Sequence, residues 1–240
     1  MQRTDLEHII RAACRVAEQD QVLVIGSQSV LGTYSELELP EESTFSEKAD
    51  VFPLFDDADG TKSTQIDGTI GELSQFHQTF GYYAQGVDRR TATLPAGWAE
   101  RLVPIRNENT DYYTGWCLDV HDLCSAKLVA NRDKDRAFVT ALIHDDLVLV
   151  STIRERLELT EVDAQRKRVA LDWLSMWDDV QPNYRAPELP AVPANWQGHP
   201  AAVIAEQEAQ QPETPWNGSW PHAQSGQDLH GPGRSPSPGY

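Results

Sequence analysis

Hydrophobic positions change their period twice along this chain, and each change marks a different kind of element. Leu6, Ile9, Ile10, Ala13 and Val16 recur at three- and four-residue spacing, which predicts an amphipathic helix over residues 5–18. Thr4 with Glu7 three positions on has the form of a capping box at its start. The run QVLVI (21–25) is short, apolar throughout and closed by Gly26, as in a strand buried on both faces. Residues 27–34 suit a short helix, 35–45 an exposed acidic loop, and 49–52 a second strand stopped by Pro53. FDDADG (55–60) is turn chemistry. Over 61–75 the pattern is ambiguous, with Ile66, Ile70 and Leu73 able to line one helix face.

Aromatic and β-branched residues then flank a polar turn at 86–90, so 76–95 reads as a hairpin, with further strands at 100–106 and 114–120. From residue 122 the period is helical. Leu123, Ala126, Leu128 and Val129 form one block and Phe138, Val139, Leu142 and Ile143 the next, and helices continue over 151–160 and 163–179. Beyond residue 180 the pattern fades: residues 181–240 hold 11 of the 15 prolines and almost no Leu, Ile or Val, the composition of a disordered tail. Trp196, Trp216 and Trp220 in it are candidate docking anchors set against an otherwise idle solvated segment. The expected fold class is therefore α+β: a core of mixed strands and helices over 1–120, a helical region over 121–180 and a Pro-rich tail over 181–240.

Charge narrows the partners. The net charge of −17 disfavours diffuse nucleic-acid binding, so an RNA partner has to be argued from a site. Residues 35–59 carry nine acids and one lysine, while 86–168 hold 13 of the 20 Lys and Arg. Cys14, Cys117 and Cys124 are too few and too scattered for a disulfide framework or a zinc site, which points to buried thiols in a reducing cytoplasm. No run reaches the roughly 20 apolar residues of a membrane span, and the acidic, immediately helical start is unlike a signal peptide.

Three places carry candidate chemistry. A strand ending in Gly26-Ser27 and opening a helix presents free N–H groups and a close backbone approach, which suits a phosphate. Asp50 on the next strand can hold a divalent cation against that phosphate, although the residue two before it, on the same face, is Lys48, and Glu47 is one position further. Asp67 sits beside Ile66 and before Gly68, either a third carboxylate or a turn residue. In DLCSAKLVANRDKD, Lys127 lies between apolar Ala126 and Leu128, with Arg132, Lys134 and Asp135 following, either a phosphate-facing cluster or a solvated helix end. His77 and His121 read as hydrogen-bonded structural histidines. No GxSxG, HExxH, P-loop or GxGxxG is present.

VLVIGSQSVLGTY followed by SEKADVFP, and HDLCSAKLVANRDKDRAFVTAL further on, together resemble the minimal nucleotidyltransferase superfamily. The likeness is to its bacterial branch of AbiEii-type toxins and related nucleotidyltransferase-like domains of unknown function, and it covers roughly residues 5–150. It implies a mixed β-sheet flanked by helices. It also implies a nucleoside triphosphate held by Gly26, Ser27, Lys127 and Arg132, and Mg2+ held by Asp50 with Glu47 and Asp67. Asp50, Lys127 and Asp135 would serve catalysis. The implied activity is transfer of a nucleoside monophosphate to RNA, such as the 3′ end of tRNA, or to protein, with an antitoxin partner in the toxin members. The rival readings are a catalytically degenerate fold that binds a nucleotide or a protein, and an adenylylating enzyme whose acidic loop attracts a cationic small molecule. Lys48 stands where the family pattern has the first acid of an acid-x-acid strand, and the interval from Ser27 to Asp50 is longer than usual.

Overall fold

The computed structural model describes residues 1–57, 59–88, 91–180, 183–187, 189 and 198–210. A five-stranded mixed sheet forms its centre, in the order β3-β2-β1-β5-β4. Its strands are β1 (Gln21–Val24), β2 (Lys48–Pro53), β3 (Tyr83–Gly86), β4 (Val103–Ile105) and β5 (Thr114–Cys117). β1 runs antiparallel to β2 and parallel to β5, β3 lies parallel to β2, and β4 closes the other edge antiparallel to β5. The fully buried Val22, Leu23 and Val24 explain the unbroken apolar run: β1 is central and covered on both faces.

Helix α1 (Arg3–Ala17) buries Leu6, Ile9, Ile10, Ala13 and Cys14, as its period predicts. Its N-cap is Gln2, whose N–H donates to Asp5 at 2.8 Å, so the capping pair sits two residues earlier than the Thr4–Glu7 signature suggested. Glu7 is occupied elsewhere, accepting from the Asn107 and Asn109 amides, each at 2.7 Å. α1 lies close enough to β5 that a Cβ on Gly115 would run into the Ile10 side chain. The turn after β1 is a short 3-10 helix (Ser27–Gly32), and the acidic loop contains one helical turn, α2 (Glu41–Thr44). The ambiguous segment resolves into α3 (Thr61–Ile70), which packs on α1 and β3 through buried Ile66 and Ile70.

The hairpin expected over 76–95 does not form among the described residues. Ser74 caps a helix, α4 (Gln75–Phe80), its hydroxyl accepting from the His77 N–H, and the chain then enters β3. β3 pairs with β2, Lys48 opposite Tyr83 and Asp50 opposite Gln85, rather than with a strand after the turn. The Phe76, Phe80 and Tyr82 rings gather round His8 of α1, which accounts for the aromatic spacing that imitates a strand.

The helical part follows in the expected order: α5 (Val120–Ala130), α6 (Asp133–His144), α7 (Val150–Glu158) and α8 (Ala164–Leu174). Asp119 caps α5 by accepting from the His121 and Asp122 N–H groups. One part of the expected tail is ordered as a helix, α9 (Ala201–Gln210). Ile204 is buried, the His199 ring meets Trp116 of β5 at 4.8 Å, and the Gln207 amide donates to the Leu54 carbonyl at 3.0 Å. A proline-rich composition masked this amphipathic turn. Trp196, Trp216 and Trp220 lie outside the described residues.

Gly115→Ala should destabilise the fold by about 1–3 kcal/mol through overpacking against Ile10. In an Ile10→Ala background the same change should cost clearly less, and a double-mutant cycle by urea denaturation reads that coupling.

Candidate nucleotide-binding cavity

Sequence and register bring the candidate residues to one place. Gly26 and Ser27 follow β1 directly, and β2 returns antiparallel beside them, with the Ile25 N–H donating to the Asp50 carbonyl at 3.1 Å. Asp50 is therefore pressed against the turn. A Cβ on residue 26 would collide with the Asp50 carboxylate, so the sequence needs glycine there for close approach rather than for an unusual φ. From the other side α5 presents Lys127, whose ammonium donates to the Ser27 hydroxyl at 2.8 Å.

Lys127 is only 7 % exposed, and its charge is matched locally. It lies 3.2 Å from Asp135 and 4.3 Å from the centre of the Phe138 ring. Arg132 grips the same carboxylate with two hydrogen bonds, at 2.5 and 3.1 Å. Asn131, at φ 57°, turns the chain between α5 and α6 so that both basic residues reach Asp135. Burial holds the Lys127 pKa below its usual value, with Asp135 pulling in the opposite direction. Burial alone would raise the Asp135 carboxyl, but the Arg132 hydrogen bond and the charges of Lys127 and Arg132 outweigh it and hold it below the usual carboxylate range.

These groups border a cavity of about 980 Å³. Gly26, Ser27, Lys127, Arg132 and Asp135 line one part of it, and Asp50, Asp67, Glu47 and Lys48 another. These nine residues, all singled out from the sequence, thus border a single space. Asp67 is not a turn residue: it lies in α3, and its carboxylate accepts from the Gly86 N–H at 2.7 Å. The protein packed round that carboxyl pushes its pKa up, the Gly86 N–H and Lys48 oppose this, and the nearby Asp50 charge reinforces it. Glu47 lies just before β2 with an exposed side chain, its carboxylate 3.7 Å from His77 at the rim. His77 also accepts from the Leu73 N–H at 3.1 Å, and His121 from the Leu149 N–H at 3.1 Å, so both histidines are engaged in local structure.

Two wall residues escaped the sequence reading. Gln85 takes a hydrogen bond from the Lys48 ammonium at 2.6 Å, and the Tyr83 ring meets the His77 ring at 4.6 Å, tilted by 45°. Both reach the cavity only through the parallel pairing of β2 with β3, which has no local signature.

Asp50 and Asp67 are the hard oxygen donors Mg2+ prefers, and Asp50 Oδ1 is buried without an aligned hydrogen bond. Its close partner is the Lys48 ammonium, at 2.9 Å. Among the described residues no three Asp, Glu, His or Cys side chains converge as a ready-made metal site. The residues fit one cation arriving with phosphates to complete its shell; they do not fit two.

A protein family described as "Nucleotidyltransferase of unknown function (DUF6036)" matches residues 4–185, and the chain belongs to it. No curated protein and no solved structure matches the chain. The match runs from α1 through the helical region and takes in every residue of the cavity named above. Among the described residues no helix is long and apolar enough to cross a membrane.

Asp135→Asn leaves Lys127 and Arg132 without their counter-charge and should cost about 3–5 kcal/mol at pH 7. Because the folded carboxyl has the lower pKa, the wild type's advantage is full above the unfolded value of about 4 and fades as pH falls below it. Chemical denaturation of both proteins from pH 7 down to pH 3 measures this. Asp67→Asn keeps an acceptor for the Gly86 N–H and removes a carboxylate whose ionisation the site opposes, so stability at pH 7 should stay within about 0.5 kcal/mol or rise.

Proposed function

We propose that the cavity binds a nucleoside triphosphate and that the protein transfers the nucleoside monophosphate to an acceptor hydroxyl on RNA or protein. The observation that carries this reading is the Lys127 ammonium, buried between the Ser27 hydroxyl and Asp135 at the end of a Gly-Ser turn. A buried cation beside a Gly-Ser turn that ends a strand is suited to a terminal phosphate. Arg132 and Lys134 also line the cavity and add positive charge. The acceptor oxygen would bond to the α-phosphorus as the bond to the bridging oxygen breaks and pyrophosphate leaves. The hydroxyl proton would pass to a cavity carboxylate, and Asp67 is the one whose proton affinity its surroundings raise. Asp50 would hold Mg2+ entering with the triphosphate, and that ion would polarise the phosphoryl oxygens and offset their charge.

Within the wider minimal nucleotidyltransferase superfamily, the toxins of the AbiEii type, acting on tRNA and neutralised by an antitoxin, are the branch this reading favours. The helix pair carrying Lys127, Arg132 and Asp135 supports that placement, since its residues act together in space. A cytoplasmic location agrees with three free, buried cysteines, two of which, Cys14 and Cys117, have thiol pKa values pushed by burial to about 12. The Lys48–Asp50 ion pair favours a second reading, a fold that binds nucleotide without transferring it.

Incubation with labelled nucleoside triphosphates, Mg2+ and cellular RNA or protein separates the two. Label should appear on an acceptor and fall by about 100-fold or more in Asp50→Ala. Nucleotide binding without label on any acceptor would establish the second reading, and label on small amines alone would favour a cationic acceptor. Gly26→Ala, which drives a methyl into the Asp50 carboxylate, should weaken nucleotide binding by about tenfold or more.

A further inference from the structure

Lys48 opens β2 two residues before Asp50, so both side chains leave the same face of the strand. The ammonium is held from two strands at once. Asp50 Oδ1 lies 2.9 Å away on its own strand, and Gln85 Oε1 accepts at 2.6 Å from β3, where Gln85 stands directly opposite Asp50. The Lys48 backbone is fixed as well, its N–H and carbonyl both bonded to the Ser46 hydroxyl. A surface Lys–Asp pair at this spacing would be solvated and loose. Here the carboxylate side chain is 10 % exposed and the lysine side chain 34 %, and both residues line the cavity. The Lys48 charge also reaches Asp67 across the cavity. One positive charge, held in place by two strands, thus acts on both carboxylates, Asp50 and Asp67.

We propose that Lys48 is the resident cation of this site during binding: it neutralises Asp50 and contacts the incoming triphosphate, so nucleotide binds without a divalent ion, and Mg2+ is needed at Asp50 only for the transfer step. The inference rests on the nucleotide-binding reading of the cavity and concerns the ion requirement of that same site. Gln85 is the positioning residue that aims the ammonium, since it competes with Asp50 for the head group and keeps it from folding back onto the carboxylate alone. A divalent ion ligated by Asp50 has to displace an ammonium already in place. A triphosphate does not, because its oxygens add acceptors to an ammonium that keeps its two partners.

The test is calorimetric titration of the full chain with ATP, CTP, GTP, UTP and inorganic tripolyphosphate, each in EDTA and in MgCl2. The wild type should bind at least one probe in EDTA with Kd within about threefold of the Mg2+ value, and Lys48→Gln should weaken binding in EDTA by about tenfold or more, with Mg2+ restoring it. A direct titration with Mn2+ alone should show no submillimolar site in the wild type and a new one in Lys48→Asp. Wild-type binding that requires Mg2+, a Lys48→Gln protein that binds equally well in EDTA, or a tight Mn2+ site in the wild type would each overturn the inference while leaving nucleotide binding intact. Absence of binding by every probe in both buffers would overturn the nucleotide reading and this inference with it. If neither variant folds, as judged by thermal melting, the EDTA and Mn2+ results on the wild type decide alone.

Discussion

A single buried ammonium, that of Lys127, ties this molecule's two halves together. Removing a charge from water is costly, and it is tolerated only when partners replace the lost hydration. The Ser27 hydroxyl, the Asp135 carboxylate and the face of Phe138 supply those partners. Ser27 lies 100 positions away in the chain, on the turn after the central strand, while Asp135 and Phe138 belong to the helix after Lys127. The requirement that Lys127 be solvated by protein therefore fixes the α5–α6 pair against the end of β1. The cavity exists because that docking leaves space between the Gly-Ser turn and the edge of β2.

Backbone proximity sets the other wall. β1 and β2 run antiparallel in a register that brings Asp50 beside Ile25, and Gly26 leaves room for the carboxylate where any side chain would fill it. Gly86 performs a similar service at the next strand, where a Cβ would strike the Ser63 backbone of α3. That close approach lets Asp67 of α3 accept from the Gly86 N–H and face the same space. Two glycines without positive φ thus set the spacing of two carboxylates.

What was legible in the sequence followed from periodicity and from side-chain types that act locally. The buried β1, the amphipathic α1 and the helix pair around Lys127 were readable because each satisfies its own pattern within about 15 residues. Lys127 stood out because a lysine among Ala126 and Leu128 has no local reason to be there. A hairpin is absent from the described residues of 76–95 because β3 finds its partner in β2, more than 30 positions earlier, and parallel pairing across a crossover leaves no turn signature. Its aromatic neighbours belong to a cluster round His8, so their spacing reflects α1 rather than a strand. Gln85 was invisible for the same reason as β3. Helix α9 was hidden by the prolines around it; it is anchored by the Gln207 bond to Leu54 and by packing on the turn at 98–101, with His199 just before it against Trp116.

The period of a strand also bounds how this site can vary. Once Asp50 is fixed by contact with Gly26, residue 48 must face the same cavity, whatever its identity. A lysine there instead of a carboxylate shifts the local charge by two units without disturbing a backbone hydrogen bond or the core. The adjacent residue 49, by contrast, is a fully buried alanine on the opposite face and has no access to the cavity. Fold and ion requirement are therefore separable in this architecture. The sheet register decides which side chains face the cavity, and the side chain at position 48 sets how much of the positive charge beside Asp50 the chain itself supplies.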